Sequence, residues 1–270
     1  MHILTKEGIS FLTFDLYETY PIRAAISARL GGVSAAPFTS LNMGLHVGDV
    51  PQAVVTNRQR FFHALGSDAS RLINCSQVHG THIEVVGKAD CGRGADSLET
   101  AIPACDGLIT AEKGVPITMN YADCTPLFFY DPKKEVIALS HGGWRGTAGN
   151  IARKTIEKME SEFQCSRDNI LCAIGPAIGK DAFEVGGEVI EAFAALFSET
   201  QLSTLCQKKE NGKYLFDLHG ANRELMQAAG IPEQHIEDCG ICTFSHDDLF
   251  YSYRKSGGNT GRHLAVMEMK

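Results

Sequence analysis

Val136-Ile137-Ala138-Leu139-Ser140-His141-Gly142-Gly143-Trp144-Arg145-Gly146 reads as a buried strand that runs into a glycine-rich turn and opens a helix. Its apolar start suits a strand covered on both faces. Upstream, β-rich apolar runs occur at 115–121 and 126–130; downstream, Ile151, Ile156, Met159 and Phe163 keep helical spacing across 147–163. Further out, 9–14, 22–28, 71–78, 82–87, 169–174, 249–254 and 262–268 read as strands. Asp49 and Pro51 open a helix that Gly66 ends, another helix spans 188–197, and Asp217 caps one over 218–229. Residues 89–105 read as a loop or flap over a site. Strands and helices mix without strict βαβ alternation, so the expected class is α+β, in one continuous domain over 1–270.

Composition narrows the function classes. A net charge of −7 offers no broad basic field for nucleic acid or an anionic membrane, although a local pocket for a small anion is compatible with it. No apolar run reaches the ~18–20 residues a membrane helix needs. Met1 to Gly8 lacks an apolar signal core, and nine cysteines make an odd set. Both point to a reduced, cytoplasmic setting with free or metal-binding thiols.

The chemistry concentrates in three places: Gln77-Val78-His79-Gly80, Ala122-Asp123-Cys124-Thr125-Pro126 and the His141 turn. Two imidazoles and a thiolate suit Zn²⁺, with a fourth position left for water or substrate. His79 and Cys124 lie 45 residues apart and Cys124 and His141 lie 17 apart, so only the fold can join them. Each has a plain reading too: Cys124 as a small core residue, His79 as an ordinary polar histidine, and the glycine turn as a strand–helix corner with Arg145 in a surface pair. Pro126 and Asp123 argue against burial of Cys124 and place it on a short connection between strands. His82 is expected to face away from His79, and His46 and His263 are read as ordinary histidines. Cys239-Gly240-Ile241-Cys242 has no partner C-x-x-C and reads as structural. No His-x-His occurs, so a trinuclear copper centre is excluded, and a P-loop and a G-x-S-x-G elbow are absent.

Taken in order, the motifs resemble the YfiH or laccase-domain family, also called peptidoglycan editing factor or polyphenol oxidase. The resemblance rests on residues 27–34, Leu41-Asn42-Met43-Gly44, Asn57-Arg58-Gln59-Arg60, Gln77-Val78-His79-Gly80, Asp106-Gly107-Leu108-Ile109-Thr110, the Cys124 and His141 segments, Ile174-Gly175-Pro176, Phe183-Glu184-Val185-Gly186, Asp217-Leu218 with Asn222, residues 250–254 and Gly261-Arg262. Gly143, Cys105 and Ala28 depart from the usual pattern, away from the proposed ligands. The resemblance implies a four-layer α/β/β/α sandwich with mixed sheets and a zinc site on His79, Cys124 and His141. It also implies purine nucleoside phosphorylase activity on adenosine, inosine, guanosine and methylthioadenosine, with adenosine deaminase activity alongside.

One open metal site accommodates both reactions. Arg145 and Arg58 are the expected holders of phosphate, Asn42 and Gln77 the candidates for ribose or base hydrogen bonds, and Asp123 the carboxylate that orients a ligand imidazole or pairs with an arginine. Zinc is preferred over copper, although ligand type alone admits both. The expected partners are purine nucleosides and phosphate, in a monomer or homodimer. The rivals are a Cys124–His141 amidase acting on cell-wall precursors, and a metal-binding protein whose closed, four-ligand zinc site is purely structural.

Overall fold

The computed structural model describes residues 1–270. The first half of the chain forms β1 (His2–Lys6), β2 (Ile9–Thr13), β3 (Ile22–Ser27), α1 (Pro51–Leu65), β4 (Ile83–Val85), β5 (Gly107–Thr110), β6 (Ile117–Tyr121) and β7 (Thr125–Asp131). Next come β8 (Val136–Gly142), α2 (Trp144–Ala148), α3 (Ile151–Phe163), β9 (Leu171–Ile174), β10 (Glu184–Val185), α4 (Gly187–Ala194) and α5 (Glu199–Leu205). The last elements are β11 (Cys206–Lys208), β12 (Tyr214–Phe216), α6 (Leu218–Ala228), β13 (Ile236–Asp238) and β14 (His263–Met269). They make a five-stranded antiparallel sheet ordered β1-β2-β3-β14-β6, a six-stranded mixed sheet ordered β13-β9-β7-β8-β5-β4, and a small sheet β10-β12-β11.

Side-chain alternation along the strands builds the layers. On β7, Phe128 and Tyr130 face the five-stranded sheet, in a core with Leu12, Met119, Ala265 and Met267. Leu127 and Phe129 point the other way, onto Ile151, Ile156 and Met159 of α3 and Met226 of α6. On the far side, Leu264 and Val266 of β14 carry Phe61 and Phe62 of α1. Three apolar seams between four layers give the α/β/β/α sandwich. A fourth cluster joins α4, α5 and the small sheet around Phe193 and Phe216.

The expected strands mostly form, with two exceptions. Residues 71–78 hold only single bridges, Ile73 to Ile117 and Cys75 to Ile102. Residues 249–254 form turns and irregular backbone, with the buried Tyr251 hydroxyl donating to the Phe38 carbonyl at 2.8 Å. The helix expected over 147–163 is two helices, parted at Asn150, whose left-handed backbone lets its side chain cap α3. The 89–105 segment is loop and short 3₁₀ turns, and no helix is long and apolar enough to cross a membrane.

Candidate metal centre

Three strand ends bring the donors together. His141 is the second-last residue of β8, Cys124 sits in the turn between β6 and β7, and His79 lies in the loop before β4. Their ligand atoms all lie within 4.8 Å of one another, and no fourth His, Cys, Asp or Glu joins the group. The His79 and His141 rings meet edge to face at 4.8 Å.

Asp106, at the head of β5, assembles the site. Its fully buried carboxylate accepts the amides of Val78 (3.2 Å), His79 (3.0 Å) and Gly80 (2.7 Å), and His141 Nδ1 at 2.8 Å. One anion therefore folds the His79 loop and turns the other ring nitrogen of His141 toward Cys124. The loop holds His79 at φ +60°, a left-handed conformation that three hydrogen bonds to Asp106 make worthwhile. Burial raises the Asp106 pKa, but the bond and charge of His141 and the amides of Gly80 and Val78 outweigh it, leaving the carboxyl below its usual range. Burial likewise opposes charge on Cys124 and His141, and mutual attraction wins. His141 and His79 bring the thiol down to about 6, and Cys124 with Asp106 carries His141 up to about 9.

Two observations fit this trio to a soft divalent ion. The donor set is a thiolate flanked by two imidazoles, one of them oriented by a buried carboxylate. Gly143, expected to lie away from the ligands, stands among them: a Cβ there would be 3.0 Å from His79 Cδ2 and 3.1 Å from Cys124 Sγ, so the glycine keeps that space clear. Such a site is open, because a cavity of about 540 Å³ lies against it, within the usual range for small-molecule sites. Gln77, Asp123, Phe183, Arg254, Arg262 and His46 are among the other residues of its wall.

The other expected site residues are placed differently. Gln77 lines the cavity, but its amide exchanges two hydrogen bonds with the Asn120 backbone, 2.9 and 2.8 Å, like an extra rung of sheet. Asp123 lines it too, at φ +82°, and accepts from Thr243 Oγ1 and the Arg254 amide, both at 2.6 Å. It ties the Cys124 turn to two other loops, and Asp106 does the imidazole-orienting work. Asn42 is fully buried and spends its side chain on Gly44, Asp49 and the Arg262 amide. Arg58 is buried in α1 with its guanidinium on the carbonyls of Met43, Gly94 and Ala95. Arg145 is exposed and stacks on Trp144 at 4.3 Å. Neither arginine lines the cavity. His82 is exposed beside Glu84, away from the trio, and Cys242 accepts from the Gly179 amide.

Sequence reasoning gave no role to Asp106, His46 or Arg262. Asp106 and Arg262 both stand in motifs quoted above, each at the mouth of an apolar strand, which is the one local signal they carry. His46 carries none.

The chain matches a family described as multi-copper polyphenol oxidoreductase laccase over residues 23–270. It is 41% identical over 245 residues to the purine nucleoside phosphorylase YlmD of Geobacillus stearothermophilus, covering 90% of this chain and 89% of that one. It is 34% identical to the adenosine deaminase RL5 of an unknown prokaryotic organism, covering 83% and 85%. The crystal structure of the Bacillus licheniformis hypothetical protein YfiH superposes with a TM-score of 0.93 at 32% identity, over 98% of this chain and 97% of that one. With its motifs, its layered sheets and a match across nearly its full length, the chain belongs to the YfiH or laccase-domain family.

Proposed function

We propose that the protein is a zinc-dependent purine nucleoside phosphorylase acting on adenosine, inosine, guanosine and methylthioadenosine, with adenosine deaminase activity in the same cavity. The observation that carries the reading is a three-donor metal set opening on a cavity with a cationic side and an apolar side. Relatives named for both reactions support it. His79, Cys124 and His141 would hold the ion, which when bound supplies Lewis acidity and lowers the pKa of water. Leu98, Ile178 and Phe183 offer the apolar wall for a purine. In phosphorolysis a phosphate oxygen bonds to the ribose C1′ as the bond to the purine nitrogen breaks. The electron pair leaves with the base, which takes up a proton. In deamination a water oxygen bonds instead to the purine C6, the bond to the exocyclic amino nitrogen breaks, and that nitrogen takes up a proton and leaves as ammonia. A single trio supplies too few imidazoles for multicopper chemistry, despite the family's description.

A second reading has one specific observation behind it: Cys124, His141 and Asp106 form a thiolate–imidazole–carboxylate relay like that of a cysteine hydrolase. His79 weighs against it, since a nucleophilic thiol needs one imidazole and a metal site uses both. The test is hypoxanthine release from inosine, with and without phosphate, in protein of measured zinc content. Phosphorolysis should require phosphate and metal, and C124A should lose the ion and roughly 10³-fold or more in turnover. Phosphate-independent release, or turnover retained by C124A, sinks the phosphorylase. Amide cleavage by metal-free protein establishes the hydrolase.

A further inference from the structure

The two arginines expected to hold phosphate lie outside the cavity, which leaves the anion's place to be found. We propose that Arg262, with His46 beside it, is the subsite for the phosphate oxyanion. This rests on the phosphorylase reading and names the residues that it lacks.

Arg262 stands one residue before β14 and lines the cavity. Its backbone is fixed by the Asn42 side chain, which accepts the Arg262 amide at 2.9 Å. Nη1 donates to the carbonyls of Thr260 (2.9 Å) and Gly261 (3.0 Å), and the guanidinium lies 5.4 Å from the Tyr253 ring. No carboxylate pairs with it. Asp123, which lines the same cavity, has one oxygen on Thr243 and the other on the Arg254 amide. Nε and Nη2 therefore remain as open donors on a positioned cation, the fork geometry that grips a phosphate with two parallel bonds.

Gly44 makes the arrangement possible. A Cβ there would meet Arg262 Cγ at 2.9 Å and His46 Cε1 at 3.3 Å, so both side chains cross the bare glycine backbone together. The His46 ring has no protein partner and lines the same cavity. His46 is exposed where the cavity opens, so its ring can add a hydrogen bond to an anion held by Arg262. Arg254, the cavity's other arginine, is exposed at the rim, with Nη1 on the Glu184 carbonyl and its plane over Phe183 at 5.4 Å. Arg262 is the inner of the two.

The experiment compares wild type, R262Q and R262K, each checked for zinc content and melting temperature. Phosphate binding is followed by titration calorimetry, and KM is measured separately for phosphate and inosine. R262Q should raise the phosphate KM and Kd roughly 10- to 100-fold, the range for losing charged hydrogen bonds, while the inosine KM moves less than about threefold. R262K should recover part of the loss, because it restores the charge without the fork. An unchanged phosphate Kd in folded, zinc-loaded R262Q overturns the proposal. So does a loss confined to the binding of inosine 5′-monophosphate, which would assign the arginine to a nucleotide's phosphate. If wild type turns over no inosine, the phosphorylase reading fails, and the calorimetric arm still decides whether Arg262 binds phosphate.

Discussion

Two carboxylates, one buried and one partly buried, hold two imidazoles in nearly the same way. Asp106 accepts from His141 Nδ1 at 2.8 Å, and Asp238 accepts from His219 Nδ1 at 3.0 Å. Each acid also collects backbone amides, three for Asp106 and that of Gly240 for Asp238. In both pairs burial disfavours the charged ring and the neighbouring anions outweigh it, Cys124 ahead of Asp106 for His141 and Asp238 for His219, so both histidines sit above their ordinary pKa. What faces each pair differs. Beyond His141 stand Cys124, His79 and the cavity, whereas Asp238 has Arg223 at 3.4 Å, and the pair joins the start of α6 to the end of β13. A carboxylate–imidazole pair is thus a generic fastener. It becomes a metal-site component only when the second ring nitrogen meets other soft donors.

The largest effect that would sharpen this contrast is expected from D106N. Loss of the anion frees the His79 loop and removes the partner of His141. Zinc affinity should fall roughly 10- to 100-fold, as for other partners of metal-ligating histidines. Competition with a chelating dye measures it. If D106N binds zinc like wild type, the two pairs are alike and Asp106 is only a fastener.

Proton release upon metal binding gives the next effect. The ion requires Cys124 as thiolate and His141 as neutral imidazole. In the metal-free protein the thiol titrates at about 6 and the imidazole at about 9. Between these values the thiolate is already formed and His141 still carries its proton, so each ion should displace about one proton and apparent affinity should climb roughly tenfold per pH unit. It should level off above pH 9 and steepen below pH 6, where Cys124 is protonated as well. Calorimetry in buffers of different ionisation enthalpy counts the protons. Release of none at pH 7.5 would refute the assigned protonation states.

The sequence displayed the donors of this site and hid its supports. His79, Cys124 and His141 each carry a local mark, a neighbouring glycine or a strand end, so ligand chemistry could be read before any fold was known. Asp106 stands at a strand start too, but nothing local marks it as a support, because its task exists only where β5 meets the His79 loop. The arginines mislead for the same reason. Arg145 follows a glycine turn that suits an anion, but the short α2 turns it outward onto Trp144. Arg58 looks free in Asn57-Arg58-Gln59-Arg60, yet the carbonyls of Met43, Gly94 and Ala95 consume it. The α+β class was legible because strand runs and helical spacing are local patterns, whereas the four layers came with the family resemblance. Residues 249–254 were not legible, since the Tyr251 hydroxyl finds its partner in the distant Phe38 carbonyl.

The smallest effect tests the other half of the comparison. D238N removes the fastener that has no metal, so zinc content and affinity should match wild type while stability falls by about 1–3 kcal/mol, the usual consequence of breaking a buried charged hydrogen bond. The loss should depend on pH in a defined way. His219 is raised above 6.5 by Asp238, so its contribution is fully present below pH 6.5 and disappears as pH rises through the folded value. Asp238 is lowered below 3.8, chiefly by His219 against the opposing burial, so its contribution is present above pH 3.8 and disappears on acidification through the folded value. The stability gap between wild type and D238N should therefore be widest from about pH 4 to 6.5 and narrow on either side. Denaturant unfolding at pH 5 and pH 9 reads it. Equal gaps at the two pH values would show that the pair is not ionised as described. A simultaneous loss of zinc would show that the fastener and the metal site are coupled through β9 and β13, and the distinction between the two pairs would collapse.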